Sequence, residues 1–129
     1  MIESTFSWKA RLKSFQFAGA GFKRLLKYEH NARLHVCSTL LCIVASVILK
    51  PSLTEVLLLV LVTALVWICE IFNSCIEKAM DFMSTEWHPS IKAIKDMAAA
   101  AVLLASVAAF IIGCIVFIPK MYHYVLYYL

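Results

Sequence analysis

The sequence predicts an all-α membrane protein, with an N-terminal amphipathic surface helix and three transmembrane helices in a single domain spanning residues 1–129. Three observations predict it. Hydrophobic residues make up 63% of the chain and mean hydropathy is +0.85, where soluble domains hold about 45–50% apolar residues. Three long apolar stretches follow one another between short polar links. Ahead of the first stretch lies a segment that interleaves aromatic and basic residues.

The surface helix is expected over about 6–28. Phe6, Trp8, Leu12, Phe15, Phe17, Phe22, Leu25 and Leu26 alternate with Lys9, Arg11, Lys13, Lys23, Arg24 and Lys27 at helical intervals. Gly19 and Gly21 mark a possible bend. The first span is expected over about 30–49, ending at Lys50-Pro51. The second is expected over about 53–82 and is longer than the hydrocarbon layer requires, so its last turns leave the bilayer. The third is expected over about 97–118, stopping at Pro119-Lys120. It opens on Met97-Ala-Ala-Ala-Ala, small residues that let membrane helices approach closely.

Positive charge sets the orientation. Seven Lys or Arg (9, 11, 13, 23, 24, 27 and 33) precede the first apolar stretch, the first link carries Lys50, and the second link region carries Lys78, Lys92 and Lys95. A multi-pass protein of the inner (cytoplasmic) membrane is expected, with the N-terminus and the second link in the cytoplasm and the aromatic C-terminal tail outside. No cleavable signal peptide is expected, because the stretch after Met1 is mixed and charged. The net charge of +4 is concentrated near the N-terminus. On a helix beside membrane spans it suits anionic lipid or a nucleotide phosphate, and no nucleic-acid partner is expected. The five cysteines, at 37, 42, 69, 75 and 114, lie in or beside apolar runs without a CxxC pair. They read as small buried apolar groups rather than a redox or metal site.

The chemistry is concentrated in Glu70, Asn73 and Glu77, at i, i+3 and i+7, with Asp81 one turn further. All four project from one stripe of a helix that begins in an uninterrupted apolar run. A carboxylate on a membrane helix costs about 2.5–3.5 kcal/mol to insert, so this stripe reads as a functional site. Glu29, Asn31, Arg33 and His35 from the first span, and Glu86, His88, Lys92, Lys95 and Asp96 from the second link, are expected at the same membrane depth. Carboxylate and amide oxygens are hard donors suited to magnesium rather than zinc. Lysines can hold phosphates, and a carboxylate kept dry can act as a general base. Metal, anion clamp and base are the parts of a phosphoryl-transfer site. Neither GxxxxGK(S/T) nor GxGxxG is present, so a nucleotide would bind by another scheme. The competing readings are charges that pair across helices only to fix packing, and a small cation channel or carrier. In a channel the charges should line a continuous path across the bilayer, whereas the outer halves of the spans lack acids apart from Glu55 near the outer end.

Glu70-Ile-Phe-Asn73-Ser74-Cys-Ile-Glu77-Lys-Ala-Met-Asp81 resembles the E-x-x-N-(S/T)-x-(I/V)-E-x-x-x-D signature of the small bacterial integral-membrane lipid kinases, the diacylglycerol kinase and undecaprenol kinase family. His88-Pro89 followed by Lys92-Ala-Ile-Lys95-Asp96-Met-Ala-Ala-Ala-Ala-Val resembles that family's HPxxKxxKDxAAxAV signature, and the likeness covers nearly the whole chain. The resemblance implies a homotrimer with active sites shared between subunits, and an ATP- and Mg2+-dependent phosphorylation of a lipid alcohol. It implies Glu70 as catalytic base with Asn73 orienting it or the substrate, and Glu29 and Glu77 as carboxylates that hold Mg2+ with ATP. Glu86, His88, Lys95 and Asp96 match nucleotide-binding positions. Arg11 matches an ATP-contacting arginine with a one-residue offset, and Phe17 stands where some members have a tyrosine that stacks on the nucleotide. Glu70, Arg33, His35 and Ala99 match the lipid-substrate side. Diacylglycerol-phosphorylating members tend to have a carboxylate where His35 stands. The Glu29–His35 segment, His88-Pro89 and the ending Ile-Val-Phe-Ile-Pro-Lys120 look closer to undecaprenol kinases, so undecaprenol is the expected acceptor and diacylglycerol the alternative.

Overall fold

A computed structural model describes residues 7–128, and Phe6, the first apolar position of the expected surface helix, lies outside them. Four helices follow in order: α1 (Trp8–Tyr28), α2 (His30–Leu49), α3 (Leu53–Met83) and α4 (Pro89–Tyr128). The last three are each long and apolar enough to cross a membrane.

Helix α1 runs through Gly19 and Gly21 without interruption, and neither glycine has a positive φ. Trp8, Leu12, Phe15 and Phe22 recur at the spacing of one helix stripe and are exposed. Leu25, near its end, is buried. Glu29 breaks the chain into α2 by adopting an extended conformation, with its N–H donating to the Leu25 carbonyl at 2.9 Å. Arg33 fastens the same corner, donating to the carbonyls of Leu26 and Lys27 at 3.2 and 2.6 Å. A cation on the last carbonyls of a helix also complements its dipole.

Helix α2 ends where Lys50 turns into the left-handed region (φ 48°), and Pro51 prevents its continuation. Ser52 then starts α3 with a capping box: its hydroxyl accepts from the Glu55 N–H, and the Glu55 carboxylate accepts from the Ser52 N–H at 2.6 Å. Glu55 also pairs with Lys120 of α4 at 3.0 Å, which ties the two helices at the end away from the Glu70 stripe. Ser52→Ala is expected to lower the unfolding free energy in micelles by about 1 kcal/mol, the usual worth of such a cap. Chemical denaturation followed by circular dichroism checks it.

Helices α3 and α4 form the main packed pair. Leu59 and Val66 of α3 are buried, as are Ala98, Ala105 and Val116 of α4. Ala98 and Ala105 lack bulk, which lets the backbones approach. Large apolar side chains mostly face outward instead, including Leu41, Leu103, Leu104 and Phe110. That inverted distribution is what a lipid solvent permits.

Helix α4 exceeds its apolar stretch at both ends. It starts at Pro89 rather than near Met97, because His88 caps it: the Lys92 N–H donates to the His88 carbonyl, and the Ser90 N–H to His88 Nδ1 at 3.2 Å. Pro89 occupies the first helical position, where its missing N–H costs nothing. At the other end the helix continues through Pro119 instead of stopping there. A proline removes one ladder bond, and membrane helices tolerate that loss by local adjustment.

Candidate functional site

At 1.5 Å per residue Glu70 lies roughly 26 Å along α3 from Leu53, close to the thickness of a hydrocarbon core of about 30 Å. The apolar run therefore ends where the acids begin. Glu70 is 1% exposed, the most deeply buried charged group among the described residues. Asn73 and Ser74, on the same helix face, are also buried.

Few protein groups satisfy this cluster. Glu70 Oε2, Asn73 Oδ1, Ser74 Oγ and His35 Nε2 are buried without a hydrogen-bond partner. Buried polar atoms are nearly always paired, so four orphans in one place mark a site built for something besides packing. His35 Nε2 stands 3.7 Å from Glu70 Oε2, within ion-pair reach. Asn73 Nδ2 donates to Glu77 Oε1 at 3.3 Å, which orients both along the stripe. Glu29 and Glu77 lie within electrostatic reach of Glu70, so three carboxylates share this end of the protein. Lys78 pairs with Glu29 across 49 residues of chain and offsets part of that charge.

Beyond Glu77 the stripe opens into a cavity of about 620 Å³ lined by Asp81, Glu86, Trp87, His88, Lys92 and Lys95 among others. Lys95 donates to Asp81 at 2.8 Å and is also within electrostatic reach of Glu77. Lys92 pairs with Asp96 at 2.5 Å. Asp96 sits inside α4 rather than at its start, so it caps nothing. Four of the residues matched to nucleotide positions, Glu86, His88, Lys95 and Asp96, thus line one concavity beyond Glu77.

Other expected site residues stand apart from it. Arg33 is engaged with the end of α1. Phe17 is exposed, with Lys13 Nζ 5.9 Å from its ring centre, on the opposite side of α1 from the Trp8 stripe. Arg11 lies in the first turn of α1 and Ala99 on an exposed face of α4.

Three participants escaped the sequence reading. Lys78 neutralises Glu29, and Trp67 and Thr39 wall His35: Trp67 Nε1 donates to Thr39 Oγ1 at 3.1 Å, and the indole meets the imidazole edge-on at 6.0 Å. The available signal was spacing alone, since Trp67 is one turn before Glu70 and Thr39 one turn after His35.

Among the described residues no three His, Cys, Asp or Glu converge closely enough to enclose a metal on protein ligands alone. Magnesium does not require that, since it is commonly held by one or two carboxylates with phosphates and water completing the shell. Glu29 and Glu77 supply hard carboxylate oxygens of that kind, and Asn73, hydrogen-bonded to Glu77, has an unpartnered amide oxygen. The donor set fits Mg2+ carried with a nucleotide.

The profile of the prokaryotic diacylglycerol kinases matches residues 16–117, most of the chain. The chain belongs to the prokaryotic diacylglycerol kinase family. Membership places it among the lipid kinases and makes it an integral membrane protein. It is 31% identical over 109 residues to the undecaprenol kinase of Bacillus subtilis, covering 84% of this chain and 89% of that one. It is 34% identical over 111 residues to a diacylglycerol kinase of Synechocystis, covering 85% of this chain but 63% of that longer protein. It is 31% identical over 115 residues to the diacylglycerol kinase of Escherichia coli K12, covering 89% and 94%. Both kinds of kinase in the family are therefore represented among its relatives, at similar identity.

Proposed function

We propose that the protein transfers the γ-phosphate of ATP to the hydroxyl of a membrane lipid alcohol, with undecaprenol as the acceptor and diacylglycerol as the alternative. The observation that carries this reading is Glu70: a carboxylate 1% exposed, at the polar end of an apolar helix, with one oxygen unpartnered. A lipid hydroxyl emerges at that depth while its tail stays in hydrocarbon.

In this reading Glu70 removes the hydroxyl proton as the lipid oxygen attacks the γ-phosphorus. Asn73 donates to Glu77 and holds that carboxylate on the stripe that carries the base. Glu29 and Glu77 would hold Mg2+ with the nucleotide. An ion held there would supply positive charge against the negative charge developing on the transferred phosphate. The Lys92 and Lys95 ammonium groups face the same cavity and attract the triphosphate, while Glu86, His88 and Asp96 shape its walls. The homotrimer, the inner-membrane location and the cytoplasmic placement of the site belong to the same reading. They are supported by the family resemblance and by the excess of Lys and Arg on the N-terminal side.

Undecaprenol is preferred because His35, not a carboxylate, faces Glu70. The cation channel is disfavoured by charge placement. Between Glu55 and Glu70 on α3, between His35 and Lys50 on α2, and between Asp96 and Lys120 on α4, no Asp, Glu, Lys or Arg occurs.

Side-by-side assays of undecaprenol and diacylglycerol, in the same lipid micelles with Mg2+ and labelled ATP, test the acceptor. A higher kcat/KM for undecaprenol is expected. Equal or better use of diacylglycerol removes the substrate assignment and leaves the kinase one.

A further inference from the structure

A base this deeply buried has to be regenerated. Each turnover leaves the lipid's proton on Glu70, and a carboxylic acid walled off from water cannot take part in the next. The side chain of Glu70 is 2% exposed and that of His35, its neighbour on α2, is 17%. We infer that His35 is a proton relay that returns Glu70 to its carboxylate form by carrying the proton from Oε2 to solvent. The inference rests on Glu70 acting as the base.

The geometry supports it from several sides. His35 Nε2 and Glu70 Oε2 face each other at 3.7 Å and neither has another partner. A small rotation closes that gap to hydrogen-bond length, about 2.8 Å, and catalytic contacts commonly tighten only when substrate is bound. The imidazole is held for this task. Trp67 packs edge-on against it at 6.0 Å. The indole is fixed by its bond to Thr39 Oγ1, which in turn donates to the His35 carbonyl at 2.7 Å. Phe22 of α1 closes the other side of the indole at 5.1 Å. The charged groups that act on Glu70 are His35 from α2, Glu29 from the link between α1 and α2, and Glu77 from α3. Of these, Glu29 is tied to Lys78 and Glu77 to Asn73, which leaves His35 as the group in direct reach.

The steps balance. The lipid O–H bond breaks, its oxygen bonds to the γ-phosphorus, the bond from the γ-phosphorus to the bridging oxygen breaks, and the proton moves to Glu70 Oε2. Glu70 then passes the proton to the unprotonated Nε2 of His35. The imidazolium releases its Nδ1 proton to water, and a shift back to the starting tautomer completes the cycle. Histidine suits the role because a neutral imidazole accepts a proton at one ring nitrogen and donates one from the other.

The test uses the full-length protein in lipid vesicles with MgATP and a lipid alcohol. His35→Gln preserves size and polarity but cannot carry a proton onward. It is expected to lower kcat about ten-fold or more, leave the KM for MgATP unchanged and remove one limb of the pH–rate profile. Imidazole added to His35→Ala is expected to restore turnover, with substituted imidazoles ranking by basicity rather than by size. Wild-type kcat and pH profile in His35→Gln would overturn the relay, as would a loss in His35→Ala that imidazole does not recover. Should His35→Gln fail to fold, the His35→Ala rescue decides alone. If the unaltered protein labels no lipid, the lipid-kinase reading itself falls; if it labels lipid and the variants behave as wild type, only the relay falls.

Discussion

Glu70→Gln is expected to reduce kcat by about 10²–10⁴-fold, the range that a positioned general base contributes. The amide preserves the shape of the side chain and removes its basicity. The helix, its register and its neighbours at His35 and Asn73 should therefore persist, and the purified variant should show the same helicity and the same assembly size. Binding of MgATP should be retained, because the residues around the nucleotide cavity are untouched. Stability should hold or rise, since a buried carboxylate without a hydrogen-bond partner is costly and a neutral amide is less so. Initial-rate assays at saturating ATP and lipid check the first part, and thermal unfolding checks the second. Full activity in the variant would remove Glu70 from the base role.

Glu77→Gln is expected to act on a different parameter. The substitution keeps an oxygen and the hydrogen-bonding reach to Asn73 but removes the charge that favours a divalent cation. Even residues one layer out from a metal cost roughly 10–100-fold in affinity when changed, so the Mg2+ concentration for half-maximal rate should rise at least about ten-fold. At high Mg2+ a substantial part of the rate should return, which distinguishes this variant from Glu70→Gln. Titration of activity against Mg2+ at fixed ATP measures it. An unchanged Mg2+ dependence would remove Glu77 from the metal.

The stripe of acids and the membrane helices were legible in the sequence for the same reason: both are local. Helical periodicity alone places Glu70, Asn73, Glu77 and Asp81 on one face, and the apolar run before them fixes where that face emerges. Helix ends were less legible. Helix α2 ends at Lys50-Pro51, whereas α4 runs on through Pro119-Lys120, because a proline inside a long apolar helix weakens the ladder without ending it. The start of α4 was misplaced because hydropathy cannot see a polar helical turn such as Pro89–Asp96, which His88 caps from outside. The partners of the site residues were hidden altogether. Glu29 with Lys78, Trp67 with Thr39 and Lys95 with Asp81 join different elements across 49, 28 and 14 residues. Only the packing of the helices makes them neighbours.

In the proposed function the buried carboxylate of Glu70 is kept because it serves phosphoryl transfer, not ion passage or packing. Vesicles containing the purified protein and a lipid alcohol, supplied with Mg2+ and γ-labelled ATP while cation flux is followed in the same sample, separate these outcomes most sharply. Label in the lipid fraction with no flux above that of protein-free vesicles is the predicted result. Cation flux without labelled lipid, or neither signal from folded protein, would contradict it.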